Sequence, residues 1–326
     1  MHVLLTGSSG WLGRHLAPML EQKGHSVTGL DVAPGRYTQL LGTVADEALI
    51  ARAFSEHSID VVVHAGALHK PDIARCSRRE FIEVNAVGTQ NLLSAAVAAG
   101  HDRFVFTSTT SLMIRNDVRA GKGGGATRAF WIDESFAPLV PRNIYGATKL
   151  AAENLCRLMH EEHGISVAVL RTGRFFPEED DTHKQPSGPN LKANEFLNRR
   201  LSVADAARAH LKALERAPEI GFDTFVLSAP TPFVADEAKE LIDDAPSVIS
   251  RHFPDAEALY AEHGWVLPRT IDRVYDSRRS QEVLGFEYAT DFAAVLGSLR
   301  EGAPLPFVHD PGYTAPRLAT VPSEQR

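Results

Sequence analysis

The sequence predicts an α/β fold, a doubly wound parallel sheet with a smaller, mostly helical C-terminal part. Short runs rich in Val and Ile alternate with longer helical patterns, which is typical of strands joined by right-handed helical crossovers. The runs are almost continuously hydrophobic, which indicates strands covered on both faces. The strand candidates are HVLLT, SVTGLD, DVVVHAG, RFVFTST, ISVAVLRT and, further on, TFVLSA.

Helical patterns lie between these strands, and other stretches interrupt the alternation. The helix candidates lie near residues 11–23, 46–57, 75–99, 142–163 and 201–218. Residues 114–140 contain RAGKGGGATR, whose glycines predict a mobile loop beside the sheet. Beyond residue 230 the pattern is mostly helical with Pro-rich connections, which predicts a cap over the carboxyl edge of the sheet.

The composition is that of an ordinary globular enzyme. The 326 residues are 44% hydrophobic and 23% charged, and the net charge of -7 provides no basic surface for nucleic acid or an anionic membrane. Cys76 and Cys156 are far apart and belong to no ligand cluster, so we expect neither a disulfide framework nor a metal site. We find no signal peptide and no run near the ~18 to 20 apolar residues of a membrane span. We therefore expect a soluble, cytoplasmic protein.

A glycine-rich turn follows the first strand candidate and opens a helix. In LLTGSSGWLGRHL, Gly7, Gly10 and Gly13 have the spacing G-x-x-G-x-x-G. Such glycines let the backbone approach a pyrophosphate at a helix N-terminus, where unpaired N–H groups favour an anion. The second strand ends in Asp31, whose carboxylate can accept hydrogen bonds from ribose hydroxyls and repels a 2′-phosphate. The turn therefore predicts a Rossmann-type NAD site, although the nearby Arg36 softens the preference over NADP.

The segment NIYGATKLAAE places Tyr145 and Lys149 one helical turn apart on one face. One interpretation is a solvated surface pair. The other is a site in which the ammonium group helps to stabilise a phenolate. The ordinary pKa of a phenol is about 10, so a base acting near neutrality needs a lowered pKa. Lys149 and the positive charge of an oxidised nicotinamide could together lower it.

Further segments match the motifs of a known family, in the family's order. They are VVVHAGA at 61–67, VNAVGTQNLL at 84–93, FVFTSTTS at 104–111, YGATK at 145–149, VLRT at 169–172, LSVADAARAH at 201–210 and, near the end, SRRSQEVLGFEY. With the glycine turn, these segments resemble the extended short-chain dehydrogenases/reductases of the NAD-dependent epimerase/dehydratase family. The resemblance favours the second interpretation of the Tyr145 and Lys149 pair.

The resemblance implies a role for each matching residue. Tyr145 would be the acid/base, Lys149 would bind the nicotinamide ribose, and Thr109, with Ser108 as the fallback, would bind the reacting oxygen. His64 and Arg171 are expected to be structural, Arg171 in an ion pair. The implied cofactor-binding residues are Gly7, Ser9, Gly10, Trp11, Leu12, Gly13, Asp31, Ala65, Gly66, Ala67, His69, Asn85, Thr107, Tyr145, Lys149 and Thr172. The implied substrate-binding residues are Ser108, Thr109, Thr110, Tyr145 and Arg174.

The chain departs from the family pattern beside the predicted site. Dehydratases of the family carry Asp-Glu after the catalytic Thr, whereas this chain has Thr110 and Ser111, which cannot titrate near neutrality. The dehydratase reaction is therefore not expected. Arg174 stands where the family commonly has an Asn that contacts the sugar nucleotide, and its guanidinium suits a carboxylate or phosphate. Residues 177–190 are either a disordered linker or a flexible lid.

The predicted organisation follows from the same resemblance. Residues 1–172 and 201–229 would form the NAD-binding domain, residues 173–200 and 230–315 a substrate-binding cap, and residues 316–326 a flexible tail. A homodimer is expected through the helix that contains Tyr145 and the helix near 85–99. The apolar face of the Tyr145 helix could equally be buried against the chain's own sheet.

Three functions are considered. The first is 4-epimerisation of a sugar or sugar nucleotide with tightly held NAD. The second is an NAD-dependent dehydrogenase or reductase that acts on a sugar or sugar acid and releases its product. The third is a non-catalytic NAD-sensing protein, since a fold alone does not fix function. A sensor is expected to have lost part of the Thr/Tyr/Lys set, which this sequence keeps intact.

Overall fold

The computed structural model describes residues 1–179 and 186–317. The strands are β1 (His2–Thr6), β2 (Ser26–Asp31), β3 (Leu40–Leu41), β4 (Val61–His64), β5 (Arg103–Thr109), β6 (Phe130–Ile132), β7 (Ser166–Thr172), β8 (Phe222–Leu227) and β9 (Arg273–Tyr275). The helices are α1 (Gly13–Gln22), α2 (Glu47–Glu56), α3 (Arg78–Ile82), α4 (Gly88–Ala98), α5 (Asn116–Ala120), α6 (Ile144–His163), α7 (Gly188–Glu195), α8 (Val203–Ile220), α9 (Ala238–Asp243), α10 (Ala245–His252), α11 (Ala256–Glu262), α12 (Arg278–Glu282) and α13 (Phe292–Glu301).

The main sheet confirms the predicted fold class. Its strands follow the order β3-β2-β1-β4-β5-β7-β8, and every neighbouring pair is parallel. The chain leaves β1 for one side of the sheet and later returns to the other side through β4. In sheets of this kind the crevice at that switch point, beyond the carboxyl ends of the strands, is where ligands bind.

Alternating strand residues supply the cores on the two faces of the main sheet. Leu5, Val105 and Leu170 face α1 and α8, whereas Leu4 and Phe104 face α2, α4 and α6. β7 is buried at every position, as expected for a central parallel strand. The two cores fix the strand ends from which the site is built.

A second apolar cluster lies in the C-terminal part. It joins α7 to α9, α10, α11 and α13 and contains large side chains such as Phe196, Tyr260 and Phe292. The mostly helical pattern predicted beyond residue 230 is therefore correct. The domain boundaries at residues 172, 201 and 230 stay a prediction.

The glycine-rich insertion differs from the expected loop. It contains α5 and β6, and β6 pairs in parallel with β9 in a separate two-stranded sheet. Gly121 has a φ of 52°, and the next residue, Lys122, donates its backbone N–H to the Asp272 carboxylate at 2.9 Å. Sequence pattern missed the two short strands because their pairing joins segments far apart in the chain. The lid or linker predicted at 177–190 lies partly outside the described residues.

The glycine turn between β1 and α1 is packed backbone against backbone. Gly7 has a φ of 72°, and a Cβ there would lie 2.8 Å from the Gly66 backbone nitrogen. A Cβ on Gly13 would lie 2.1 Å from the Gly7 carbonyl oxygen. Neither neighbour is a side chain that could rotate away, so glycine is required at both positions.

We expect Gly13→Ala to lower the free energy of unfolding by about 2–4 kcal/mol, because the added methyl group has to displace backbone. The control is Gly297→Ala in α13, where an added Cβ meets nothing within 4 Å. That change should be neutral or stabilise by up to about 1 kcal/mol. Urea unfolding measures both values, and equal stabilities would contradict the packing described for the turn.

Candidate active site

The structure brings Thr109, Tyr145 and Lys149 to one place at the carboxyl end of β5. The Asn143 side chain accepts the Gly146 N–H at 2.9 Å, which starts α6 so that Tyr145 lies in its first turn. Thr109 ends β5, and its side chain is close enough to the Tyr145 phenol to lower the pKa of that phenol. Lys149 follows one turn later, with Nζ 4.0 Å from the centroid of the Phe106 ring. The surface-pair interpretation is wrong, since Tyr145 is 8% exposed and Lys149 is 2% exposed.

Without a bound cofactor, burial has the largest effect on the pKa values of both Tyr145 and Lys149. Burial raises the pKa of Tyr145 to about 12, against the opposing effect of the Thr109 hydrogen bond. Burial also lowers the pKa of Lys149 to about 7, with Cys156 and Glu153 acting in the opposite direction. The prediction overlooked desolvation, which disfavours the charged form of both groups. In this structure the phenol is protonated at neutral pH, and Lys149 is close to its own titration midpoint.

A buried ion pair supports the strand ends below the site. Arg171 donates Nη2–H to Glu153 Oε2 at 2.7 Å and Nε–H to Oε1 at 3.0 Å. Ser108 donates its hydroxyl to Glu153 Oε1 at 2.6 Å. The prediction of a structural ion pair for Arg171 is confirmed.

Two predicted substrate contacts are not supported. The Ser108 hydroxyl is committed to Glu153, and Ser108 is buried. The buried Thr110 donates its hydroxyl to the Thr172 carbonyl at 3.3 Å, which ties β5 to β7. Thr172 in turn donates its own hydroxyl to the Ser108 carbonyl at 3.0 Å. In this segment, the Thr109 hydroxyl is therefore the one next to Tyr145. This agrees with the choice of Thr109 over Ser108 in the sequence analysis.

The other half of the candidate site is the glycine turn. The Asp31 carboxylate accepts the Ser9 N–H at 3.0 Å and the Ala33 N–H at 3.1 Å, which holds it beside the turn. Ser9 Oγ is buried and has no hydrogen-bond partner in the described part of the chain. An orphaned hydroxyl and closely packed glycines beside a fixed carboxylate fit the pyrophosphate and ribose of a dinucleotide. Gly10, Trp11 and Leu12 complete the turn, and Trp11 donates its indole N–H to the Phe175 carbonyl at 3.1 Å.

The segment after β4 is held between the two halves. Asn85 accepts the Leu68 N–H at 2.8 Å, and its amide donates to the Leu68 carbonyl at 3.0 Å and to Thr148 Oγ1 at 3.1 Å. Asn85 lies in a π-helical turn, Glu83–Val87, that joins α3 to α4. Such turns frequently occur at functional sites. Asn85 thus fixes the loop to the helix that carries Tyr145, and its predicted contact with the cofactor stays a prediction.

Small residues and two histidines line this segment. Gly66 donates its N–H to Thr6 Oγ1 at 3.0 Å, next to Ala65 and Ala67. His64 is buried between Thr6 and Thr89, at 2.7 and 3.1 Å, so its expected structural role is confirmed. The His69 ring lies 5.8 Å from the Tyr145 ring and 5.3 Å from Phe176. Burial lowers the pKa of His69 to about 4, which leaves a neutral imidazole beside the phenol.

A cationic cluster lies beyond the end of β7. Glu195 is 3% exposed, and its carboxylate lies 2.9 Å from Arg199 and 2.7 Å from Arg200. Arg174 lies 3.9 Å from the same carboxylate, and its side chain is 31% exposed. Three guanidinium groups therefore share one buried carboxylate. Thr172 pairs with Thr109 in the sheet, and Arg174 comes two residues after Thr172. The cluster therefore begins close to the strand ends that carry the candidate site.

The contacts of Thr107 and Arg36 do not assign either residue to the cofactor site. Thr107 is half-buried, and its hydroxyl lies 2.7 Å from His210 Nε2 on α8. The Arg36 guanidinium lies 5.3 Å from the centroid of the Tyr37 ring.

Among residues 1–179 and 186–317, no helix is long and apolar enough to cross a membrane. Across the same ranges, no group of three or more His, Cys, Asp or Glu is arranged to hold a metal ion.

Sequence reasoning missed several residues that shape the site. Glu153 lies one turn after Lys149, and a buried acid at that spacing could have been paired with Arg171. Arg199, Arg200 and Glu195 form one cluster with Arg174, but only the tertiary fold places β7 against the end of α7. Phe176 packs on His69, a contact that no local pattern signals.

Comparisons with known proteins agree with this geometry. Residues 3–226 match the model of the NAD dependent epimerase/dehydratase family. UDP-glucose 4-epimerase of Halalkalibacterium halodurans is 30% identical over 52% of this chain and 50% of its own length. UDP-glucose 4-epimerase of Rhizobium meliloti is 26% identical over 91% of this chain and 95% of its own. The chain thus spans about half of the first relative and nearly all of the second.

A solved structure shares the fold. It is a short-chain dehydrogenase/reductase superfamily protein from Agrobacterium tumefaciens with bound NAD. The TM-score is 0.63 at 23% identity, over 93% of this chain and 98% of that one. The family match covers the glycine turn, Thr109, Tyr145 and Lys149. The chain is therefore a member of the NAD dependent epimerase/dehydratase family, enzymes of the extended short-chain dehydrogenase/reductase type whose cofactor is NAD.

Proposed function

We propose that this enzyme oxidises a hydroxyl-bearing carbon of a sugar nucleotide and reduces it again, which gives 4-epimerisation. The observation that carries the proposal is the assembly of Thr109, Tyr145 and Lys149 in one buried patch beside the glycine turn. The relatives named UDP-glucose 4-epimerase support a nucleotide-linked substrate. The absence of a titratable pair at Thr110 and Ser111 argues against a dehydratase.

Each residue has a separate task in this proposal. Tyr145 receives the proton of the substrate hydroxyl and returns it, while the Thr109 hydroxyl holds the reacting oxygen. NAD, when bound, supplies the hydride acceptor and a positive charge that favours the phenolate. Lys149 holds the cofactor ribose and adds charge when it is protonated. Asp31 accepts the adenosine ribose hydroxyls, and its fixed carboxylate favours NAD over NADP.

We expect Tyr145→Phe to lower turnover by about 10²–10⁴-fold, because the phenol is the only group in the proposal that moves the proton. Phenylalanine keeps the ring packed beside His69, so NADH binding should stay near wild type. Turnover is measured with UDP-sugars and tightly bound NAD, following isomerised sugar and NADH together. Isomerised product without NADH supports epimerisation, whereas accumulating NADH means net oxidation. Full activity in Tyr145→Phe would refute the assigned acid/base.

A second candidate function is favoured by the cationic cluster. Arg174, Arg199 and Arg200 lie together around the Glu195 carboxylate. Arg200 is 2% exposed and Arg199 has a side-chain exposure of 22%, so Arg174 presents the most accessible guanidinium. A planar donor fork suits a carboxylate. We infer that a dehydrogenase acting on an acidic carbohydrate is the alternative, with Arg174 binding the acid.

For that alternative, Arg174→Ala should raise the KM for a sugar acid by about 10–100-fold, since a charge-assisted hydrogen bond is lost. Arg174→Lys should restore only part of the affinity for the sugar acid, because lysine lacks the planar donor fork. In both variants Glu195 still forms its ion pairs with Arg199 and Arg200, so we expect the fold to be unchanged. Steady-state kinetics with a sugar acid and its neutral analogue measure the effect, and the exposed Arg128→Ala is the control. An equal KM change for both sugars would exclude carboxylate recognition.

The ionisation of Lys149 links stability to pH. Its folded-state pKa is about 7, below the ordinary value of 10.5. Between these values the unfolded chain binds more protons than the folded one, so stability rises with pH across this window. Below about pH 7 both states carry the charge, and the folded state bears the full cost of burying it.

We therefore expect the free energy of unfolding of the wild type to rise between pH 7 and 9 relative to that of Lys149→Met. The difference should be on the order of 1–2 kcal/mol. Urea unfolding without cofactor at the two pH values measures it, and the exposed Lys239→Met serves as control. If Lys149→Met and wild type show the same pH slope, Lys149 is not held near neutrality by burial.

A further inference from the structure

The chain between His309 and Tyr313, here called the C-terminal strap, forms a defined turn. Its sequence is Asp310-Pro311-Gly312-Tyr313. Tyr313 donates its N–H to the Asp310 carbonyl at 3.1 Å, and Gly312 donates its N–H to Asp310 Oδ1 at 3.0 Å. Proline at the second position and aspartate at the first favour such a turn. The strap is therefore locally preorganised by its own residues.

One end of the strap is anchored to the segment that follows β7. Asp310 donates its N–H to the Pro177 carbonyl at 2.8 Å. His309 Nε2 lies 3.3 Å from Glu179, and His309 Nδ1 lies 3.0 Å from Lys192 Nζ on α7. These contacts join the strap to the region that carries Arg174.

The other end reaches the glycine turn. The Tyr313 ring meets the Trp11 ring edge to face, with centroids 5.1 Å apart. The Arg14 guanidinium lies 4.3 Å from the Trp11 ring centroid and 5.1 Å from that of Tyr313. Trp11 belongs to the turn that binds the pyrophosphate, so the strap crosses from the β7 segment to the cofactor-binding backbone.

The phenol of Tyr313 is partly buried against Trp11 and Arg14. Burial raises the pKa of Tyr313 to about 12, while Arg14 acts against this rise. Asp31, the predicted ribose acceptor, is close enough to raise the same pKa further. The phenol is thus a neutral group at neutral pH.

We propose that the C-terminal strap is part of the cofactor site, where Tyr313 seated on Trp11 slows the release of NAD. The proposal rests on the cofactor site used by the proposed function. The strap does no chemistry, and its effect is on residence time. An epimerase has to keep the reduced cofactor until the hydride is returned, so a closure of this kind suits a cofactor that stays bound through turnover.

The test measures NADH release from the full chain by displacement with excess NAD, followed by stopped-flow fluorescence. Tyr313→Ala should raise the dissociation rate on the order of 10-fold, because the aromatic and cation–π contacts to Trp11 and Arg14 are lost. Tyr313→Phe keeps the ring and should stay within about 3-fold of wild type. Asp310→Ala, which loosens the turn, should change the rate in the same direction but less. Thr314→Ala, an exposed neighbour, is the control.

Hydrogen exchange without cofactor gives a second measurement. Amides of residues 8–14 should exchange faster in Tyr313→Ala than in wild type, because the ring that covers Trp11 is gone. An unchanged dissociation rate in a folded Tyr313→Ala protein would overturn the proposal. Tighter NADH binding in that variant would also overturn it, since the strap would then exclude the cofactor. NADH binding without sugar turnover would refute the proposed function alone, and a wild type that binds no NADH would refute both.

Discussion

The ion pair between Arg171 and Glu153 holds together the three elements from which the candidate active site is built. Arg171 lies on β7, Glu153 on α6, and Ser108, the third partner, on β5. Thr109 is the next residue after Ser108, Tyr145 and Lys149 precede Glu153 on its helix, and Arg174 follows Arg171. Removing one member of such a buried pair leaves an uncompensated charge, which is strongly destabilising. The geometry of the proposed proton transfer therefore depends on an ion pair that would touch no reacting atom.

The same carboxylate also affects the charge of Lys149. Glu153 lies one helical turn away and favours the ammonium, whereas burial disfavours it and prevails. The outcome is a lysine near its titration midpoint next to a phenol that is firmly protonated. In the proposed reaction, such a site gains its base only when further positive charge arrives, which would couple proton abstraction to the presence of an oxidised cofactor.

Much of the fold followed from local pattern. The hydrophobic runs placed β1, β2, β4, β5, β7 and β8 because central parallel strands are buried on both faces. β6 and β9 were missed, since a strand of three residues has too little periodicity to be recognised. At the site, the glycine turn and the Tyr145/Lys149 spacing were local and were found. The partners of Ser108 and Thr110 were not, because a hydroxyl at a strand end has several directions open to it until neighbouring elements are packed. The rise in the pKa of Tyr145 without cofactor was not anticipated for the same reason, since sequence spacing reveals the charge neighbours but not the desolvation.

Whether this enzyme is an epimerase or a dehydrogenase depends less on the reacting residues than on what surrounds them. The Thr109, Tyr145 and Lys149 set serves both reactions, because both begin with removal of the same proton. A dehydrogenase has to release reduced cofactor in every cycle, and an epimerase must not. The strap over Trp11 favours retention, while the cationic cluster around Glu195 favours an anionic group on the substrate. A nucleotide-linked sugar carries such a group in its diphosphate, so the two features are compatible with one epimerase. They conflict only if the anion is a carboxylate on a freely exchanging sugar, because rapid turnover would then require the strap to open each time.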